Sequence, residues 1–347
     1  MGISNAHKPR LSAVIPCHNE ARGIPALLKR MRAAAEKSFG QEYELILIDD
    51  GSTDDTWSII EEASADHSQT IGIKLSRNYG HQTALSAGLS YARGALIFVI
   101  DADLQDPPEL LADMFDVLRK ERADVVYGKR TTRKGESYFK KATASAFYRL
   151  IQRFSEVDIP TDTGDFRLMT DRVAHALSSM PENDRFIRGM VAWIGFTQVP
   201  FEYHRDERLA GETKYPLKKM LDLARRAFVS FSTLPLRFAG QFALLMFVLM
   251  FFSLAYTLFS WIFFDAVTGW TSLMALVSFS GGIQLLILSV LGDYIGRIYM
   301  DGKSRPLYIV DQVAGGEEAN RTTAGAVPLI QDKLGIWPSQ LNETRVK

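Results

Sequence analysis

The sequence predicts an α/β doubly wound domain followed by a pair of membrane-spanning helices. Three observations carry this. From about residue 10 to 210, short β-rich runs alternate with helical stretches. Several of those runs are nearly continuous in apolar residues, as strands buried on both faces of a parallel sheet are. Further on, no charge occurs for about 27 residues between Arg237 and Asp265, nor for about 27 between Asp265 and Asp293.

The β-rich runs are LSAVIP (11–16), YELILIDD (43–50), IGIKLS (71–76), ALIFVIDAD (95–103), ADVVYGKR (123–130) and FTQVPFEYH (196–204). Helical stretches at 53–65, 81–92 and 108–121 lie between them. Ser52 or Thr53 can cap the first, and Pro107 and Pro108 can open the third. Alternation of this kind indicates a sheet with helices on its faces. Ligands of such sheets sit at the carboxyl ends of the strands, where several acidic clusters of this sequence fall.

The two uncharged segments each exceed the roughly 20 apolar residues that cross a bilayer. The competing reading is a pair of buried core helices. Arg225, Arg226 and Arg237 precede the pair, and Arg297, Lys303 and Arg305 follow it. By the positive-inside tendency both ends are cytoplasmic and the pair is a hairpin. Residues 215–238 interleave Lys218, Lys219, Arg225 and Arg226 with Leu217, Met220, Leu221, Leu223, Phe228 and Phe231. That pattern suits a helix lying on an anionic membrane surface or an ordinary linking helix. The expected divisions are 1–210 for the α/β domain, 211–236 for the interfacial region, 237–300 for the two spans and 301–347 for a polar, mobile tail.

Composition narrows the function classes. Net formal charge is zero and 47% of residues are hydrophobic, so nucleic acid is not an expected partner. The single cysteine, Cys17, forms no internal disulfide and no zinc cluster. The first residues lack the apolar core and cleavage site of a signal peptide, and Ala6 stands where a myristoylation signal has Ser or Thr.

The chemistry-bearing motifs follow apolar runs. DADLQDPP (101–108) puts Asp101 and Asp103 at a strand end. Residues two apart on a strand share a face, so if extended geometry persists to 103 both carboxylates reach one ligand. Such a pair suits Mg²⁺ or Mn²⁺ bound together with substrate phosphates. LIDDGSTDDT (47–56) offers Asp49 or Asp50 to a ribose or a base, with Gly51 for the sharp turn. Asp54 and Asp55 fall in the next helix's first turn, where the dipole favours negative charge. In IPCHNE (15–20), Asn19 and Glu20 either read a base edge or cap the following helix. TDTGDFRL (161–168) gathers Asp162, Asp165 and Arg167. HRDERLAGETKY (204–215) offers Arg205, Arg208 and Lys214. Each of the last two reads alone as a solvated loop, but beside two anionic substrates they make a phosphate clamp.

Taken together and in this order, these motifs resemble glycosyltransferase family 2, in the branch of polyprenyl-phosphate glycosyltransferases that includes dolichol-phosphate mannose synthases and bacterial bactoprenol glucosyltransferases. The resemblance covers about residues 10–305. It implies a GT-A fold, a divalent metal and an inverting mechanism. It implies that Pro16, Asn19, Glu20 and Asp50 contact the nucleotide, and that Asp101, Asp103 and Gln105 lie at the diphosphate and metal. Asp165 and Arg167 match the family's GDFRL element near the reaction centre. RLAGETK (208–214) resembles an Arg-x-x-Gly-x-Ser-Lys element, with Thr213 keeping the hydroxyl. The sequence has no Gln-x-x-Arg-Trp element, with RGMVAWIG (188–195) in the comparable region, which argues for a single transfer rather than chain growth. The bacterial glucosyl branch further implies a homotetramer in the bacterial inner membrane with a cytoplasmic catalytic domain.

A phosphate monoester has a second pKa of about 6 and is mostly dianionic near neutral pH, so Asp165 need not abstract a proton. The harder task is to bring two anions together, which falls to the metal and to Arg208 and Lys214, with Arg130 and Arg167 as further candidates. UDP-glucose is the favoured donor and polyprenyl phosphate the acceptor. Another UDP-sugar such as UDP-N-acetylglucosamine, GDP-mannose, a neutral lipid acceptor such as diacylglycerol, and a non-catalytic nucleotide-sugar-binding scaffold are the alternatives.

Overall fold

The computed structural model describes residues 8–130, 163–183, 185–204, 234–263, 269–303 and 305–315. Two compact units emerge. The first holds the α/β domain together with residues 306–315, and the second holds the long apolar helices.

The α/β unit is one eight-stranded sheet of order β7-β5-β6-β4-β1-β2-β3-β8. Its strands are β1 (Leu11–Cys17), β2 (Tyr43–Asp49), β3 (Thr70–Leu75), β4 (Leu96–Val99), β5 (Val125–Arg130), β6 (Thr163–Thr170), β7 (Gln198–Tyr203) and β8 (Val310–Ala314). Every residue of β1 and β2 is buried, as their apolar runs require. The helices are α1 (Ile24–Phe39), α2 (Thr56–Asp66), α3 (His81–Tyr91), α4 (Leu111–Lys120), α5 (Asp171–Ser179) and α6 (Ile187–Ile194). Ala13, Ile15, Leu45 and Leu47 join Leu27, Leu28 and Met31 of α1 in the main core. Alternate residues meet α3 instead. A Cβ on Gly88 would lie 2.3 Å from Val14 Cγ1 and 2.5 Å from Ile48 Cδ1, so α3 sits on the sheet through a glycine.

The sheet is mixed, not parallel throughout. β1 pairs in parallel with β2 and β4, and β2 with β3, whereas β6 runs antiparallel to both β4 and β5. The described part of this motif, from Thr163, lies in a strand over Thr163–Thr170, not in a solvated loop. Its charges are hidden because Asp165 and Arg167 pair with each other. β6 enters the sheet from the edge at which β4 leaves it. The ladder pairs Val99 with Arg167, and just beyond it His81 Nε2 lies 3.5 Å from Asp101 Oδ1 and 3.2 Å from Asp165 Oδ2.

Residues beyond Pro306 are not all tail. Val310–Ala314 adds to β3 as an antiparallel edge strand. The Ser76 amide donates to the Ile309 carbonyl at 2.9 Å, and the Ser90 and Tyr308 hydroxyls are 2.6 Å apart.

In the second unit, α7 (Leu234–Phe263) and α8 (Trp270–Gly302) span 30 and 33 residues and contact one another. Among the described residues, Phe279–Gly302 is long and apolar enough to cross a membrane, and none of that stretch is buried by protein. The interfacial helix expected at 215–238 lies almost wholly outside the described residues.

Candidate active site

Three loops at the carboxyl edge form one rim. After β1, Asn19 takes a positive φ of 57°, a conformation Asn tolerates better than most residues. Its side-chain oxygen accepts the Thr53 amide at 2.8 Å, and its own amide donates to the Ser52 hydroxyl at 3.0 Å. Ser52 and Thr53 thus tie two loops together and do not cap α2. That helix begins at Thr56 with Asp55 in the cap position, and its cap makes no side-chain hydrogen bond. Asp54, expected inside the first turn, precedes it and accepts the Thr56 and Ala21 amides at 3.1 and 3.3 Å. The Glu20 amide donates to Thr56 Oγ1 at 2.9 Å, which adds a further tie between the loops.

Asp50 is buried, and its two oxygens accept the Tyr79 and Gly80 amides at 2.7 and 2.9 Å. Its carboxylate anchors the loop after β3 rather than projecting as an open acceptor for a ribose. Gly51 makes this close approach possible. It has φ +63°, and a Cβ there would fall 2.4 Å from the Asn78 nitrogen. Pro16 is buried inside β1 opposite Ile48.

The loop after β4 departs from the expected geometry. The strand ends at Val99, and Leu104 has φ 58°. Extended backbone does not persist to Asp103. Instead Asp103 Oδ1 accepts the Gln105 amide at 3.1 Å. The next residue, Asp106, is fully buried and accepts the Tyr203 hydroxyl, which fixes the loop to the end of β7. Arg130, at the end of β5, places its Nε 3.5 Å from the same hydroxyl.

The candidate centre assembles where β4, β6, α3 and α6 converge. Asp165, 2% exposed, is its hub. Arg188 Nε donates to Oδ1 at 3.0 Å and Arg188 Nη2 to Oδ2 at 3.2 Å. Gln82 Nε2 donates to Oδ2 at 3.0 Å, and His81 Nε2 lies 3.2 Å from the same oxygen and 3.5 Å from Asp101 Oδ1. Arg167 Nη2 is 3.6 Å from Asp165 Oδ1, while its Nε and Nη2 donate to the carbonyls of Asp165 and Gly164. The Gln82 side-chain oxygen accepts the Ile187 amide at 2.9 Å, locking the start of α6 to α3.

Electrostatics follow from this packing. Burial would raise the Asp165 carboxyl, but Arg188, the His81 hydrogen bond and Arg167 hold it well below the usual carboxylate range. Burial pushes Asp101 up to about 6, with Asp165, Asp106 and Asp103 adding to the push and His81 opposing it. Burial alone would lower His81. The hydrogen bond to Asp165 and the charges of Asp101 and Asp165 raise it instead. Burial brings Arg167 down to about 10, against the pull of Asp165.

Asp101 Oδ1 is buried without a hydrogen-bond partner. A buried carboxylate oxygen so crowded by other carboxylates suits a hard cation, so Asp101, with Asp103 beside it, fits Mg²⁺ or Mn²⁺. Among the described residues no cluster of three or more His, Cys, Asp or Glu forms a metal cage. A cation here would therefore complete its shell with phosphate oxygens and water, which is the habit of Mg²⁺.

Of the residues singled out in the sequence, Asp101, Asp165 and Arg167 meet at the centre. Asp103 and Gln105 lie on the adjoining loop, Asn19, Glu20 and Asp50 lie in the neighbouring rim, and Pro16 is buried within β1. Arg208 and Lys214 lie outside the described residues. The sequence reading missed His81, Gln82 and Arg188. The signal for the first two was their place at the start of the helix that follows the third strand, on the same edge as the acidic motifs.

A mixed α/β sheet with acidic residues gathered at its carboxyl edge is GT-A-like. Residues 12–177 match the model of glycosyl transferase family 2. The chain is 47% identical over 307 residues to an uncharacterized glycosyltransferase, YkcC, of Bacillus subtilis, covering 88% of this chain and 94% of that one. It is 39% identical over 306 residues to a prophage bactoprenol glucosyl transferase homolog of Escherichia coli, covering 88% and 99%. It is 37% identical over 302 residues to the bactoprenol glucosyl transferase of Shigella phage SfV, covering 87% and 98%. The chain belongs to glycosyltransferase family 2, and it is a glycosyltransferase.

Proposed function

We propose that this enzyme transfers one sugar, with inversion, from a nucleotide-diphosphate sugar to polyprenyl phosphate at the cytoplasmic face of the bacterial inner membrane. UDP-glucose is the favoured donor. The observation that carries the reading is the length of the match to the bactoprenol relatives. The 306 aligned residues exceed what lies outside α7 and α8, so the likeness includes the apolar helices as well as the sheet. In this reading α7 and α8 form a transmembrane hairpin, the basic segment 211–236 lies at the interface, and the enzyme is a homotetramer.

The residues divide the work by position. The rim built by Asn19, Glu20 and Asp50 shapes the nucleotide end, Asp50 acting through the Tyr79 and Gly80 amides. Asp101 and Asp103, with Gln105, would hold Mg²⁺ or Mn²⁺. When bound, such an ion supplies positive charge at the departing diphosphate. Arg188, the His81 hydrogen bond and Arg167 hold the Asp165 carboxyl well below the usual carboxylate range, and donors surround it, so it is a poor proton acceptor. A dianionic phosphate nucleophile needs none. Asp165 instead orients His81, Gln82 and Arg188, and fixed charge in a buried centre does the catalytic work. Arg130, Arg208 and Lys214 complete the cationic side.

The test is acceptor choice. The full-length enzyme, offered undecaprenyl phosphate and diacylglycerol in separate vesicles, is expected to label the phosphate lipid. Labelled sugar on the neutral lipid alone would sink the proposal.

A further inference from the structure

We infer that residues 306–315, the stretch that follows α8, are a positioning strap for the nucleotide end of the site, with Tyr308 as its fastening. The inference rests on the reading above that the rim takes the donor nucleotide. β8 covers the edge of β3, pairing Gly72 with Ala314, Ile73 with Val313 and Lys74 with Gln312. An open sheet edge is commonly covered in this way, but covering it requires only the ladder. Here the contacts run on past the end of β3 toward the site.

The register shifts between Lys74 and Leu75, an irregularity of the kind that bends a strand and re-aims its end. Beyond it the Ser76 amide donates to the Ile309 carbonyl at 2.9 Å. Ser76 opens the loop that joins β3 to α3. Its hydroxyl is 3.0 Å from the Tyr79 hydroxyl, and the Tyr79 amide donates to Asp50 at 2.7 Å. The Arg77 guanidinium lies 4.2 Å from the centroid of the Tyr79 ring. A continuous set of contacts therefore leads from Ile309 through Ser76 and Tyr79 to Asp50.

Tyr308 supplies the second hold. Its hydroxyl is 2.6 Å from that of Ser90, near the end of α3, the helix that begins at His81. The strap thus grips β3 before the rim loop and α3 after it. A loop fixed on both sides has less freedom to lose when a ligand binds, and that saving appears as affinity for the ligand.

The experiment measures equilibrium binding of UDP and of GDP to the full-length enzyme in detergent with Mg²⁺, together with donor and acceptor KM from transfer kinetics. Tyr308→Ala is expected to weaken binding of the preferred nucleotide and raise the donor KM by about 3- to 10-fold, the scale of one neutral hydrogen bond. A Tyr308 that only stabilised the fold would lower the melting temperature and leave the affinity of the folded protein alone. Tyr308→Phe keeps the ring and should show a smaller loss in the same direction, and it carries the comparison if the alanine variant does not fold. The second arm refastens the strap. Lys74 and Gln312 are partners across the ladder, and directly opposed residues of antiparallel strands lie about 4.5–5.5 Å apart, within reach of a disulfide. The chain's one cysteine, Cys17, is buried and does not compete. In a Lys74→Cys, Gln312→Cys, Tyr308→Ala protein, oxidation should restore nucleotide affinity to within about twofold of the double-cysteine protein that keeps Tyr308, and reduction should remove the gain. Unchanged nucleotide affinity in the Tyr308 variants, or a cysteine pair that does not close or closes without restoring binding, overturns the strap and leaves the proposed reaction standing. A wild-type enzyme that binds neither UDP nor GDP overturns the nucleotide reading of the rim itself.

Discussion

Asp165→Asn tests whether the buried carboxylate is an anchor or a base. The substitution keeps the shape and one acceptor oxygen. It removes the ion pairs with Arg188 and Arg167 and turns an NH₂ toward a site ringed by donors. Gln82 Nε2 at 3.0 Å, His81 Nε2 at 3.2 Å and Arg188 Nη2 at 3.2 Å all converge on Asp165 Oδ2. With Asp165 2% and Arg167 3% exposed, solvent screening is slight. Removing one partner of a buried pair costs about 3–5 kcal/mol. At about 2–4 °C per kcal/mol for a domain of this size, the melting temperature should fall by roughly 10 °C near neutral pH.

The sign with pH follows from the depressed carboxyl. Its folded pKa lies below the unfolded value, so the stabilisation is present above the ordinary carboxylate pKa. It is lost as pH falls from there toward the folded pKa. The gap between wild type and Asp165→Asn should therefore be widest near neutrality and close in acid. The assay is thermal unfolding of the full chain in detergent across that range, followed by intrinsic fluorescence. A variant that melts within about 2 °C of wild type at neutral pH, yet loses transfer by about 10⁴-fold or more, would refute the anchoring role and restore a proton-transfer role.

Other changes probe the rest of the frame. Gly51→Ala forces a Cβ to 2.4 Å from the Asn78 nitrogen at a φ of +63°; loss of at least about 1–2 kcal/mol and weaker nucleotide binding are expected in melting and UDP-binding assays. Gly88→Ala drives a methyl into Val14 and Ile48, and overpacking of about 1–3 kcal/mol should shift α3, which carries His81 and Gln82, and lower kcat more than donor affinity. Asp103→Ala should abolish metal-stimulated transfer while leaving the circular dichroism spectrum intact; near-normal turnover at saturating Mn²⁺ would exclude Asp103 as a ligand.

Strand positions were legible because burial on both faces leaves little room for polar residues. The runs ending at Pro16, Asp50 and Arg130 coincide with β1, β2 and β5 to within a residue or two. β6 was not legible. Asp165 and Arg167 sit inside it, and a strand whose charges neutralise one another reads in sequence as a loop. β8 escaped notice because five residues of an edge strand carry no pattern stronger than the polar tail around them. The acidic edge of the site was readable from strand ends alone. Its cationic half was not, since Arg188 and His81 reach Asp165 from helices distant in sequence. Asp50 follows directly on a strand end as expected, but Asp103 lies four residues past the end of β4; the bonds that Asp50 accepts from the Tyr79 and Gly80 amides and Asp103 from the Gln105 amide go with the positive-φ turns at Gly51 and Leu104. Only Gly51 announces its turn in the sequence.

The measurement that bears most directly on the account is sugar transfer by the purified full-length protein. It would be supplied with undecaprenyl phosphate, Mg²⁺ or Mn²⁺, and in turn UDP-glucose, UDP-N-acetylglucosamine and GDP-mannose, with radioactivity counted in the lipid fraction. The account predicts glucose on the lipid phosphate from UDP-glucose, dependent on the cation. Metal-dependent release of nucleotide with no sugar on the lipid phosphate from any donor would contradict it.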